Sequence, residues 1–213
     1  EKVGLATLTN NLLSTATQHR SEEEIIQDFE SVGAQFSSSS LKDMSIISLR
    51  SLTRKENLRK SLAVFTEVVT QPSFNQQYLF RERKQLLRSI KASEQSPGSI
   101  AALAFDEAVF ADHPYAHSKI GNKESLARIN IQDVVQHYQT YYVAKNSTIV
   151  LVGDISQTKA KHIARKISHG LNIGKKAVDN PMVVALKSPQ NIHLEFPSKQ
   201  THLLIGQPGI NRS

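Results

Sequence analysis

The chain has 213 residues, 39% of them hydrophobic, and a formal net charge of +7; that length suits one sizeable core, or one domain with part of another. It contains no cysteine, which excludes a disulfide scaffold, a thiolate metal site and a cysteine nucleophile. No window reaches the ~18 apolar residues that a membrane-crossing helix needs.

Periodicity predicts the elements in chain order. Residues 4–18 read as a helix. Ser21 caps a second helix and Glu24, three positions on, completes a capping box. Ile25, Ile26 and Phe29 form its apolar stripe, and Gly33 stops it with the left-handed conformation glycine tolerates. Residues 34–40 and 44–52 read as paired strands, although Ile46 and Ile47 together break strict alternation. Leu58, Leu62, Phe65 and Val69 mark a helix ended by Pro72. A long helix runs from about Asn75 to Glu94, broken at Ser96-Pro97-Gly98. Further helices cover roughly 99–111, 131–142 and 156–169, with a strand over 148–153. Residues 172–190 carry Gly174, Pro181 and Pro189 and read as a linker with one short strand. This mixture, without strict β-α-β alternation, predicts α+β layers.

The basic residues are scattered, with one denser run from Arg81 to Lys91. Leu79, Leu86, Leu87 and Ile90 interleave with it, the pattern of a solvated helix face opposite an apolar one. A single-strand nucleic-acid surface calls for aromatics among its cations. Tyr78 and Phe80 precede the run and do not interleave with it.

Gly4-Leu5-Ala6-Thr7-Leu8-Thr9-Asn10-Asn11-Leu12 resembles the G-x-A-H-x-x-E-H-M helix of the pitrilysin/insulinase family of zinc peptidases. The two family histidines fall on Thr7 and Asn11, and the glutamate that serves as general base falls on Asn10. Arg20-Ser21-Glu22-Glu23-Glu24-Ile25, Val32-Gly33-Ala34 and Gln71-Pro72-Ser73-Phe74 resemble further family elements in the same order. Arg81-Glu82-Arg83 to Ile90 resembles the E-R-x-V-V-x-x-E-I helix, whose second glutamate is the third zinc ligand; that position is Ser89 (Arg88 if the register slips by one). Asp112-His113-Pro114-Tyr115, Ile120-Gly121 and the segment Ile149 to Asp154 continue the match.

The resemblance implies an α+β, metallopeptidase-like two-layer domain, with a mixed or antiparallel sheet covered by helices. It divides the chain into a first α/β domain over residues 1–171, a linker over 172–190 and the start of a second domain over 191–213. Family members place strands ahead of the metal helix, so an N-terminal portion is expected to be absent. A catalytic zinc needs three good protein ligands and an open position. Hydroxyls and carboxamides replace imidazole poorly, and an amide takes no proton from water near neutral pH. The expectation is therefore a chain without catalytic residues or bound metal, with zinc present only in a partner.

Two positions keep two readings each. Glu82 matches a family residue that orients a zinc-bound histidine; it is either a relic of that role or a surface carboxylate among Arg81, Arg83 and Lys84. Ser37, Ser38, Ser39 and Ser40 fall where active relatives have a strand that pairs with the substrate backbone. They form either a peptide-accepting edge or a serine-rich edge kept polar against aggregation. No alternative metal site is expected: Pro114 separates His113 from His117, and lysines surround His162 and His169. There is no G-x-S-x-G elbow and no phosphate loop.

Proteins of this description pair with an HxxEH-bearing homologue and enclose a peptide. The resemblance thus implies a catalytically inactive member of a two-component zinc peptidase, a heterodimer whose ligand is an extended peptide. Alternatives are a scaffold subunit of the same fold and a basic nucleic-acid-binding module. The stretch Phe196 to His202 resembles bacterial exported members, which implies a periplasmic location, with a cytoplasmic or mitochondrial one as the alternative.

Overall fold

The computed structural model describes residues 2–210. Helix α1 (Leu5–Leu12) is the element around which the rest is placed: α7 (Ile131–Tyr141), α4 (Gln76–Ser93) and the strand β1 (Gln35–Ser40) all pack on it. Its side chains serve two cores. Leu8 and Leu12 join Leu79, Leu86, Leu126, Ile129 and Val134, while Leu13 at its end joins Ile25, Phe29, Ala34, Val64 and Val68. Leu8, Leu12 and Leu13 are fully buried, and truncating a leucine so placed costs about 2–5 kcal/mol.

Helix α1 is shorter than its sequence suggests. Beyond Leu13 the Thr15 hydroxyl donates to the Leu12 carbonyl. Ala16 and Thr17 form isolated β-bridges to Ser21 and Pro72. Hydroxyl side chains that bond locally to the backbone compete with helix continuation. Arg20 then joins α2 (Glu22–Glu30) to α3 (Lys55–Thr70) through Asp28 and Glu67. Hydrogen bonds from Lys60 first and Arg20 next hold the Asp28 carboxyl below its usual range. The Ser21–Glu24 capping box is present and Gly33 has φ 62°, as the sequence indicates.

Strands β1 and β2 (Ser45–Arg50) form an antiparallel hairpin in which Gln35 faces Arg50 and Ser40 faces Ser45. Phe36 carries the hairpin into the second core, stacking on Phe29 with centroids 5.5 Å apart. Helices α4, α5 (Pro97–Phe110), α6 (Lys123–Arg128), α7 and α8 (Gln157–His169) complete the helical layer. Helix α6 and the single 3-10 turns at 114–116 and 144–146 are not evident from periodicity, because six or fewer residues are too short to show one.

The predicted strand at 148–153 is irregular and unpaired among the described residues, with Val150 and Val152 76% and 94% exposed. Alternation sets which side chains share a face, yet a strand exists only through ladder partners. The same holds for residues 192–196 and 201–206 and for the short strand expected in 172–190: their backbone is irregular or extended, with no ladder. Asn172 and Ile173 instead accept hydrogen bonds from the backbone of Ala144 and Lys145. No helix among the described residues is long and apolar enough to cross a membrane.

Candidate functional site

The fold brings Thr7, Asn10 and Asn11 on α1 beside Glu82 on α4 and Tyr142 at the end of α7. Thr7 is buried, and its hydroxyl donates to the Lys119 carbonyl at 2.8 Å. Two glycines allow that loop to approach. Gly4 has φ 94°, and a Cβ there would lie 2.8 Å from the Ile120 carbonyl oxygen; at Gly121, φ 78°, a Cβ would lie 2.5 Å from the Val3 carbonyl oxygen. Side chains are strained in that conformation and collide in that space.

Asn10 is completely buried. The Tyr142 hydroxyl donates to its Oδ1 at 3.1 Å, while Nδ2 has no protein partner among the described residues. Burial pushes the Tyr142 hydroxyl up to about 12, opposed by a hydrogen bond with Ser45 on β2. Its neighbour His137, 6.5 Å away ring to ring, is driven down to about 4 by burial. A neutral, partly buried imidazole thus stands five residues before Tyr142. Neither residue is distinguishable from sequence as part of this cluster, since 132 positions separate Tyr142 from Asn10.

Asn11 donates from Nδ2 to Glu82 Oε2 at 3.5 Å, a long bond. Glu82 Oε1 accepts from Arg81 at 3.2 Å, and Arg81 makes a bidentate pair with Glu22, both contacts 2.6 Å. The Glu22 hydrogen bond is the main reason the Arg81 guanidinium is held above its usual value. Ser89 lies apart from this chain of contacts, exposed, with its hydroxyl on the Gln85 carbonyl. Hydroxyl and carboxamide groups already spent on internal hydrogen bonds are a poor match to zinc. No cluster of three or more His, Asp or Glu suited to a metal occurs among the described residues. His113 is the N-cap of the turn Pro114–Ala116, and His117 is exposed beyond it.

The serine run occupies β1. The hairpin closes with the Leu41 N–H on the Met44 carbonyl, which fixes the ladder. Residues 35, 37 and 39 point their backbone groups at β2, and Phe36, Ser38 and Ser40 point theirs the other way. No strand pairs with that second edge among the described residues. Ser37 and Ser39 are exposed, Ser38 is half-buried and Ser40 is buried. Ser37 to Ser40 therefore form an edge strand resting on the α1 layer.

The comparisons with known proteins agree with this geometry. Residues 1–123 match the family model described as Insulinase (Peptidase family M16), and residues 128–213 match that of the Peptidase M16 inactive domain. An uncharacterized zinc protease of Rickettsia bellii is 23% identical over 98% of the chain and 49% of its own length. The non-peptidase homolog YmxG of Helicobacter pylori is 22% identical over 97% of the chain and 47% of its own length. The chain thus spans about half the length of the curated relatives it matches. A crystal structure of a peptidase M16 inactive domain from Pseudomonas fluorescens superposes with a TM-score of 0.85 at 32% identity, covering 88% of this chain and 46% of that one. With its fold and more than half its length matched, the chain belongs to the insulinase family of peptidases, family M16.

Proposed function

We propose that this chain is part of a non-catalytic M16 subunit that holds peptide for an HxxEH-bearing partner. The observation that carries the reading is the state of the helix α1 positions. Thr7, Asn10 and Asn11 offer neither imidazole nor carboxylate, each is engaged internally, and Ser89 on α4 faces solvent. The relatives' names include both zinc proteases and a non-peptidase homolog, so these residues, rather than the family, decide the reading. The test is dialysis against buffered zinc followed by metal analysis. The expected result is no stoichiometric zinc; retention of about one equivalent at sub-micromolar free metal overturns the reading.

The free edge of β1 supports the peptide role. An added strand draws its affinity from main-chain hydrogen bonds, which need no metal, and small serine side chains let the peptide approach. In this reading a partner subunit supplies zinc and the general base, and the two halves enclose the substrate. The net charge of +7 favours acidic peptides in a salt-dependent way. Mixing the full-length protein with an HxxEH homologue from the same organism is expected to give one co-eluting species and a several-fold rise in peptide turnover. Separate peaks and unchanged turnover leave the scaffold reading in its place. We assign the protein to the periplasm on the resemblance of Phe196 to His202 to exported members; fractionation of the tagged chromosomal protein tests this.

A further inference from the structure

The motif Asp112-His113-Pro114-Tyr115 has no part in the degenerate metal helix, yet three separate segments converge on it. His113 is 8% exposed. Its Nδ1 accepts the Tyr115 backbone N–H at 3.1 Å, so the proton sits on Nε2, which donates to the Pro181 carbonyl 2.9 Å away. A neutral imidazole thereby joins the end of the α5 region to a segment 68 residues further on. Tyr115 makes a second connection with its side chain. The hydroxyl donates to Asp43 Oδ2 at 2.9 Å.

Asp43 lies in the two-residue turn of the β1–β2 hairpin, and its neighbour Lys42 is held just as firmly. The Lys42 ammonium pairs with Asp106 Oδ2 at 2.5 Å, donates to the Tyr115 carbonyl, and stands 5.5 Å from the Phe110 ring centre. The rings of Phe110, His113 and Tyr115 pack on one another, with His113 and Tyr115 centroids 4.5 Å apart. Ala111, with φ 44°, turns the chain out of α5 into this arrangement. That backbone conformation costs a non-glycine residue of order 1–3 kcal/mol and persists only where its surroundings hold it.

We propose that His113 and Tyr115 are positioning residues that couple the segment around Pro181 to the tip of the β1–β2 hairpin. Displacing that segment withdraws the Pro181 carbonyl from His113 Nε2 and frees the imidazole whose Nδ1 holds the Tyr115 backbone N–H. The hairpin turn then loses the group that fixes Asp43, and the open edge of β1 shifts with it. The consequence for peptide affinity rests on the reading of β1 as a peptide-accepting edge; the mechanical link does not.

Amide hydrogen exchange on the intact chain tests the coupling. In Pro181→Gly, a surface change that loosens the segment whose carbonyl His113 holds, exchange at Leu41, whose N–H closes the hairpin on Met44, is expected to rise several-fold. His113→Ala is expected to do the same and to loosen residues 178–184 as well. His113→Gln, which can accept from Tyr115 and donate to Pro181, is expected to restore protection at both places. Tyr115→Phe separates the two arms: it frees the hairpin and leaves the Pro181 contact intact. Unchanged Leu41 exchange in Pro181→Gly and in Tyr115→Phe overturns the proposal, even if His113→Ala fails to fold. If the coupling is present but an extended peptide binds all variants equally or none, the peptide-edge reading fails and the link stands.

Discussion

Asn11 and Glu82 face each other across the α1–α4 interface, carboxamide nitrogen to carboxylate oxygen, at 3.5 Å. The carboxylate that the sequence resemblance reads as either a relic or a surface group here meets an amide. The neighbouring substitutions follow the same logic. Thr7 ties α1 to the loop ahead of α6, and Asn10 ties it to the end of α7. Hydrogen bonds thus run from α1 to three surrounding elements.

The Asn11–Glu82 bond is long and only part-buried, so its contribution is small. Asn11→Ala is expected to lower stability by less than about 0.5 kcal/mol, whereas Arg81→Ala, which leaves both Glu22 and Glu82 without their cation, is expected to cost about 1 kcal/mol. Urea midpoints of the two variants decide the order. A larger loss in Asn11→Ala than in Arg81→Ala contradicts it.

Asn10 presents a sharper case because it is fully buried and Tyr142 alone satisfies it. Removing the phenol hydroxyl in Tyr142→Phe strands a second polar atom in the interior, at about 1–3 kcal/mol. Replacing both partners, as in Asn10→Leu with Tyr142→Phe, removes the stranded groups as well. The double variant is therefore expected to be more stable than Tyr142→Phe alone. A double variant weaker than the single one by denaturant melting shows that packing, not polar satisfaction, dominates at this spot.

The helices and the hairpin were legible because their signals are local. Ser21 with Glu24, Leu79 with Leu86, and the Ile25–Phe29 stripe each state an element within one or two turns, and α2 and α4 follow them closely. The end of α1 was not legible: Thr15 and Thr17 fit a helix by period, and their competing hydroxyl bonds become visible only in the fold. Residues 148–153 have the alternation of a strand, but no neighbour forms a ladder with them among the described residues. Motif spacing singled out Thr7, Asn10, Asn11 and Ser89, of which the fold brings the first three together beside Glu82 and leaves Ser89 apart, while His137 and Tyr142 had no such signal. Their significance comes from burial beside α1, a property of the packed chain.

His137 makes stability depend on pH in a definite window. Burial brings its folded value down to about 4, from an ordinary value of 6.5. Above pH 6.5 the ring is neutral in both states and its effect is constant. As pH falls from 6.5 toward 4 the unfolded chain takes up the proton first, and up to about 3 kcal/mol of stability is lost. Asp28 and Asp133, whose carboxyls are held below their usual range by Lys60 and Lys2 respectively, act later, losing their stabilisation only as pH falls below the ordinary carboxylate value. His137→Phe is expected to flatten the melting temperature between pH 6.5 and 4.5 while keeping the loss at lower pH. An unchanged slope in that variant assigns the upper window to another group.

The ladder of the hairpin yields a test that distinguishes the two edges of one strand. Ser38 turns its N–H away from β2, whereas Ser39, paired with Ile46, turns its N–H toward β2. Proline lacks that donor and is accepted in a strand only where the N–H faces outward. Ser39→Pro is expected to remove a ladder bond and leave the Ile46 carbonyl short of a partner, costing roughly 2 kcal/mol. Ser38→Pro is expected to leave folding nearly unchanged, since it touches only the open edge, yet to weaken peptide binding by the full-length protein with its partner by about tenfold, the value of one main-chain hydrogen bond in a water-excluding site. Thermal melts establish that the Ser38 variant is folded, and fluorescence anisotropy with an extended peptide reads the affinity. Equal affinity in a folded Ser38→Pro protein places the peptide away from β1, because a strand added to that edge loses its bond to the N–H at position 38.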